Sequence, residues 1–179
     1  MQTWIALFRG INVGGNNMLP MAELRKDLEA LKLKNVRTYI QSGNVVFDST
    51  AKAASALTKK IVRMIEEKHG FRPHVLILNR DDLLTAVEAN PFPKAVPHPK
   101  TLHFFFLAAP PVEPNTKALD DAKASTENYK LTDRVFYLHA PNGIGRSKLA
   151  ANAEKHLGVV STGRNYRTVE KLLSMVTQS

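Results

Sequence analysis

The apolar residues of this chain fall into short blocks whose spacing switches between strand and helix periods. Residues 4–8, Trp-Ile-Ala-Leu-Phe, form a short apolar run ended by Arg9-Gly10, which predicts a strand entering a glycine-rich loop. Pro20 opens a helix in which Met21, Leu24, Leu28 and Leu31 recur at helical spacing, with Arg25, Lys26, Asp27 and Glu29 expected outward. Residues 36–40 alternate and are rich in β-branched side chains; Gln41-Ser42-Gly43-Asn44 then joins them to a second strand at 45–47, giving a hairpin. Leu57, Ile61 and Ile65 mark a helix over 53–69, and residues 74–78 a fourth strand. The order βαββαβ is that of a ferredoxin-like unit.

A helix over 81–89 follows, and then residues 90–100 hold four prolines, at 91, 93, 97 and 99. After this linker the pattern resumes, with strands at 102–107, 128–131 and 134–139, helices near 116–124 and at 147–157, a short strand at 159–160 and a last helix at 166–176. The expected fold is therefore α+β, two ferredoxin-like βαββαβ halves, each followed by an extra helix and packed as one compact unit. The corresponding division is residues 1–90, a proline-rich linker at 91–100, and residues 101–179.

Topology then brings distant loops together. A helical crossover makes strands one and two of such a unit parallel, and strand three returns antiparallel between its neighbours. The loop from Arg9 to Gly15 should thus lie beside the Gln41 to Asn44 connection, with Arg72 and His74 at the same end. Glycines let backbone N–H groups turn inward, so an anion is the natural guest. Gly10 and Gly15 have the interval of a P-loop, but Asn16-Asn17 stands where the lysine and hydroxyl residue would be, which excludes a nucleoside-triphosphatase. In the second half, Gly143 to Lys148 and Gly163 to Thr168 each lead into a helix at one edge of the unit. Arg146, Ser147, Lys148, Arg164, Asn165 and Arg167 would gather there around two helix N-termini.

Each candidate also has a structural reading. Arg9 and Asn12 could serve only to fix their loop, Gln41 and Asn44 to close a hairpin, and Ser147 and Asn165 to cap helices. Arg164 and Arg167 exceed what capping needs, because cations in a first turn oppose the helix dipole. Histidines at 69, 74, 98, 103, 139 and 156 show no metal-ligand spacing, so no metal is expected, and no cofactor is indicated. No Gly-x-Ser-x-Gly elbow or paired carboxylates mark the loops for catalysis, and His74 is the one weak base. Lys59, Lys60 and Arg63 read as a solvated helix face. An RNA-binding sheet would expose aromatics on its central strands, whereas Trp4, Phe8 and Phe47 read better as core. Ile5 and Leu7 make the first strand apolar on both sides, so helices should cover one face and the second half the other.

Composition narrows the partners. Of 179 residues, 25 are basic and 16 acidic, a net charge of +9, and 44% are apolar. That suffices for a real core and favours acidic partners: an anionic small molecule, or nucleic acid as the alternative. With no cysteine, the chain has neither disulfides nor thiolate chemistry and suits a reducing cytoplasm. No apolar run approaches the roughly 18 residues of a membrane span, so no membrane partner is expected. From residue 140 onward six basic residues face Glu154 and Glu170, a local +4, and four of the six crowd two helix starts.

Ala6-Leu7-Phe8-Arg9-Gly10-Ile11-Asn12-Val13-Gly14-Gly15, Pro20-Met21-Ala22-Glu23-Leu24-Arg25 and Thr38-Tyr39-Ile40-Gln41-Ser42-Gly43-Asn44-Val45-Val46-Phe47 closely resemble the opening of the bacterial domain of unknown function family 1697. The resemblance continues through Asn90-Pro91-Phe92 and Gly145-Arg146-Ser147-Lys148-Leu149 to Thr162-Gly163-Arg164-Asn165-Tyr166-Arg167-Thr168. Phe8 stands where the family usually has leucine, and Tyr166 where tryptophan is common; both keep the bulk. The resemblance implies an α+β fold of two ferredoxin-like parts and supplies no function. The expectation from the residues is a cytoplasmic binding protein or enzyme whose anionic ligand, phosphate- or carboxylate-bearing, is held between the halves. Arg9, Asn12, Gln41 and Asn44 would come from one half and Arg146, Ser147, Lys148, Arg164, Asn165 and Arg167 from the other.

Overall fold

The computed structural model describes residues 1–177. These form β1 (Gln2–Arg9), α1 (Met21–Ala30), β2 (Lys34–Tyr39), β3 (Asn44–Ser49), α2 (Ala54–His69), β4 (His74–Asn79) and α3 (Arg80–Glu88). After a 3-10 turn at Pro93–Ala95 come β5 (Leu102–Leu107), α4 (Thr116–Ala122), β6 (Asn128–Leu131), β7 (Val135–His139), a second 3-10 turn at Ile144–Arg146, α5 (Lys148–Leu157), β8 (Ser161–Asn165) and α6 (Tyr166–Thr177). Two four-stranded antiparallel sheets result, in the order β2-β3-β1-β4 and β6-β7-β5-β8. The fold is α+β, with the same strand order in both sheets.

The chain divides into two units. One is Met1–Leu84 together with the end of the chain from Leu172, and the other is Thr85–Lys171, so the cuts fall inside α3 and α6. The proline-rich stretch belongs to the second unit, where Ala95 is buried and Phe92 meets His139 with ring centroids 6.0 Å apart.

In the first unit alternation along β1 decides what each face carries. Trp4, Ala6 and Phe8 join Phe47, Val75 and Ile77 in one core with Leu24 and Leu28 of α1 and Leu57, Ile61 and Ile65 of α2. The aromatic rings therefore pack under the helices. Ile5, Leu7 and Val46, on the opposite face, are fully buried as well. One expectation fails in α1: Asp27 is buried, not outward, and its carboxylate holds Lys68 Nζ and, at 2.8 Å, His69 Nε2. It sits three residues from Leu24 and one before Leu28, on the stripe that turns inward.

The second unit repeats the scheme with a more aromatic core. Leu107, Phe136 and Leu138 pack with Leu119 of α4 and Leu149, Ala153 and Leu157 of α5. On the other face Phe104 meets Tyr137 edge-on at 4.7 Å and Tyr166 at 5.6 Å. The Tyr137 hydroxyl donates to the Ala86 carbonyl at 2.8 Å, which secures the second half of α3 to this face. The last strand is Ser161–Asn165, later than the expected 159–160, so Gly163, Arg164 and Asn165 are strand residues instead of loop. That segment is polar throughout and is extended because it pairs with β5 from His103↔Asn165 to Leu107↔Ser161. Gly163 opposite Phe105 leaves room for the ring, since a Cβ there would stand 2.9 Å from Phe105 Cε1.

Candidate functional site

Two loop clusters hold the candidate residues, one in each unit. In the first, β1 and β3 pair with Leu7 opposite Asn44, and β1 and β4 with Arg9 opposite His74. The β1–α1 loop, the β2–β3 hairpin and the start of β4 thus share one end of the sheet. Phe8 N–H donates to the Gly43 carbonyl at 2.9 Å, and Gly43 has φ +75°. A Cβ there would stand 2.5 Å from Phe8 Cβ, closer than real side chains approach, so only glycine lets hairpin and loop meet.

Asn12, with φ +54°, ties the two loops together. Its Oδ1 accepts from Leu19 N–H at 2.7 Å, and its Nδ2 donates to the carbonyls of Leu19 and Gln41, both at 2.9 Å. Both amide hydrogens and the oxygen are therefore engaged by backbone. Asn44 is fully buried and its Nδ2 donates to the Tyr39 carbonyl at 3.1 Å and Ser42 Oγ at 2.9 Å. Of the four residues brought together here, Asn12 and Asn44 build the frame, and Arg9 and Gln41 are the exposed members.

The second cluster lies at the end of the other sheet where β5 begins. Leu102 pairs with His139 and His103 with Asn165, so the ends of β7 and β8 flank β5. They are two strand spacings apart, roughly 10 Å. Ser147 Oγ accepts from Ala150 N–H at 2.9 Å, capping α5, and Asn165 Oδ1 accepts from Thr168 N–H at 3.0 Å, capping α6. Arg146, Lys148 and Arg167 are exposed. Arg164 pairs across from Phe104 and so lies on the Phe104–Tyr137 face, whereas α5 packs on the other. Its Nη1 donates to the Gly163 carbonyl at 2.9 Å, and burial pushes the guanidinium down to about 10. Arg164, Asn165 and Arg167 share one helix start; Arg146, Ser147 and Lys148 surround the neighbouring one.

Sequence reasoning passed over His103. It is buried between Asn165 and Leu138, burial lowers it to about 4, and its Nδ1 has no hydrogen-bond partner. It is thus neutral at physiological pH and keeps a polar atom in the core of this same sheet end. Only its place opposite the last residue of β8 could have signalled it. Among the described residues no group of three His, Cys, Asp or Glu side chains is arranged to hold a metal ion, and no helix is long and apolar enough to cross a membrane.

The arrangement is similar to that of a solved conserved bacterial protein from Streptococcus pneumoniae. That chain is 23% identical, the match covers 98% of each chain, and the TM-score is 0.73. At this identity the likeness concerns the fold. No curated protein matches the chain. Residues 1–137 match the family model described as Protein of unknown function (DUF1697). The matched segment runs from β1 into β7 and spans well over half of the sequence, and the protein belongs to the DUF1697 family.

Proposed function

We propose that the chain is a binding protein or enzyme for an anionic small molecule bearing phosphate or carboxylate, held in the second unit at the start of α6. The observation that carries this reading is Arg164. It directly precedes Asn165, the cap of α6, and its Nη1 donates to the Gly163 carbonyl, so its cation stands at a helix start, where an anion is favoured. Asn165 and the first turn of α6 add backbone N–H groups, Arg167 adds a second cation, and Arg146, Ser147 and Lys148 stand at the adjacent helix start. Arg9 and Gln41 form a secondary candidate in the first unit. The same proposal has each unit as a ferredoxin-like module, supported by its βαββαβ order and its strand order. It has the protein acting in the cytoplasm, where a chain without cysteine is at home.

Calorimetric titration with inorganic phosphate, pyrophosphate, mononucleotides and dicarboxylates tests it. The expected result is saturable binding of one class that Arg164→Ala weakens at least tenfold and Lys59→Ala, on a solvated helix face, leaves unchanged. Absence of binding across the panel, or affinity indifferent to Arg164→Ala, overturns the proposal.

A further inference from the structure

His103 is a buried polar side chain with a hydrogen-bonding atom that the fold leaves unspent. It is 6% exposed, and its Nδ1 has no hydrogen-bond partner. Burial lowers the ring to about 4, and a backbone hydrogen bond with Thr101 offsets only part of that, so the imidazole is neutral at physiological pH. An orphaned buried polar atom costs stability that an apolar residue of similar size would not.

Strand pairing fixes where the ring lies. His103 stands opposite Leu138 of β7 and Asn165 of β8, and directly paired residues share a face of the sheet. Leu138 packs with Ala140 and with Leu149 in the first turn of α5. His103 is therefore on the face that α5 covers, at the end of the sheet where α5 starts. There buried Ser147 caps the helix, its Oγ accepting from Ala150 N–H at 2.9 Å. The N–H groups of Lys148 and Leu149 come too early in α5 for an acceptor within the helix and point toward the same end. Exposed Arg146 and Lys148 add two cations, and residues 140–153 contain no Asp or Glu.

We propose that the start of α5 is a seat for a phosphate group, with His103 as its innermost binding residue. The inference rests on the anion reading of this sheet end and gives it a chemical group and a further residue, on the opposite face of β5 from Arg164. A neutral imidazole has one N–H and one lone pair. It meets a phosphate in either protonation state, donating to P–O⁻ or accepting from P–OH, and a phosphate monoester passes between the two at about pH 6. Sulfate and a carboxylate offer acceptors alone at neutral pH, so they suit the imidazole in only one tautomer. The remaining phosphate oxygens can take the two helix N–H groups and the cations. Free phosphate and a phosphorylated metabolite present this same group.

The test is NMR of the histidine rings and backbone amides of the isotope-labelled full chain, titrated at neutral pH with inorganic phosphate, methyl phosphate, sulfate and acetate. The expected result is saturable shifts at the His103 ring nitrogens and at amides 148 and 149, with at least one phosphate bound tenfold more tightly than sulfate or acetate. Tighter binding of methyl phosphate than of inorganic phosphate identifies a phosphorylated metabolite as the source, and the reverse identifies free phosphate. His103→Leu keeps the bulk and removes the orphaned atom, so it should weaken phosphate at least tenfold without lowering the melting temperature. A lowered melting temperature with unchanged phosphate affinity would assign the ring to the core and overturn the proposal. Phosphate binding that Arg164→Ala weakens while the His103 ring stays silent would overturn it and leave the anion reading standing, as would an equal response to sulfate. No saturable binding of any of the four anions would remove both.

Discussion

Asp27 and His69, 42 residues apart in the chain, meet at 2.8 Å, where the inward stripe of α1 faces the last turn of α2. Lys68 donates to the other carboxylate oxygen. Burial by itself raises the Asp27 carboxyl, but the hydrogen bonds and charges of Lys68 and His69 outweigh it and hold the group below its ordinary value. An unfolded aspartate titrates near about 3.9, so as pH falls the unfolded chain takes up this proton before the folded one does. The contribution is full above that value and is lost as pH drops through the folded one. Asp27→Asn should cost about 1–3 kcal/mol at neutral pH and flatten the acid limb of the stability profile. Urea unfolding between pH 7 and pH 3 checks this; parallel profiles for the two proteins would remove Asp27 from the account.

Two glycines that approach aromatic residues should respond differently to alanine. At Gly43 the added Cβ would meet Phe8 Cβ at 2.5 Å and the backbone is left-handed, so neither neighbour nor φ can yield cheaply. Gly163 has ordinary φ, and its Cβ would meet the edge of the Phe105 ring at 2.9 Å, which can tilt away. Gly43→Ala is expected to cost about 3 kcal/mol and Gly163→Ala about 1 kcal/mol. Chemical denaturation of both variants decides it, and equal losses would contradict the geometric argument.

The Tyr137 hydroxyl is the polar link between β7 and α3, and burial raises it to about 12. Tyr137→Phe keeps the edge-on contact with Phe104 and leaves the Ala86 carbonyl without this donor. A loss of about 1–2 kcal/mol follows. Above about pH 10 the unfolded phenol ionises first, so wild-type stability should fall with rising pH through this group and the variant's should fall less. Alkaline unfolding curves that coincide would refute the assignment.

Both loop clusters were legible in the sequence because topology alone brings them together: once β1 and β2 are parallel, Arg9 must end near Gln41. Strands at 102–107 and 128–131 were legible from their alternating or apolar residues. The last strand was not, since Ser161-Thr162-Gly163-Arg164-Asn165 has no apolar residue and is extended only through its partner β5. Asp27 was misjudged because residue type was weighed above position; helical spacing from Leu24 already puts it on the inward stripe. What no pattern could reveal is how the hydrogen bonds are spent. Asn12 reads equally as ligand contact or brace until Leu19 and Gln41 are found to engage its whole amide.

Ile40 has φ +50° and is about half exposed, which sets the cost of its backbone against the gain from packing. A left-handed conformation costs an ordinary side chain about 1–2 kcal/mol, and asparagine bears it with less penalty. At half exposure the isoleucine side chain recovers only part of its full burial value of about 1.5–3 kcal/mol. Ile40→Asn should therefore leave stability unchanged or raise it by up to about 1 kcal/mol, the opposite of the usual effect of replacing an apolar residue. Ile40→Val retains the β-branched strain and gives no such relief. Thermal melts of the two variants side by side test the point: a destabilised Ile40→Asn protein would mean that this side chain gains more from packing within the fold than its backbone conformation costs.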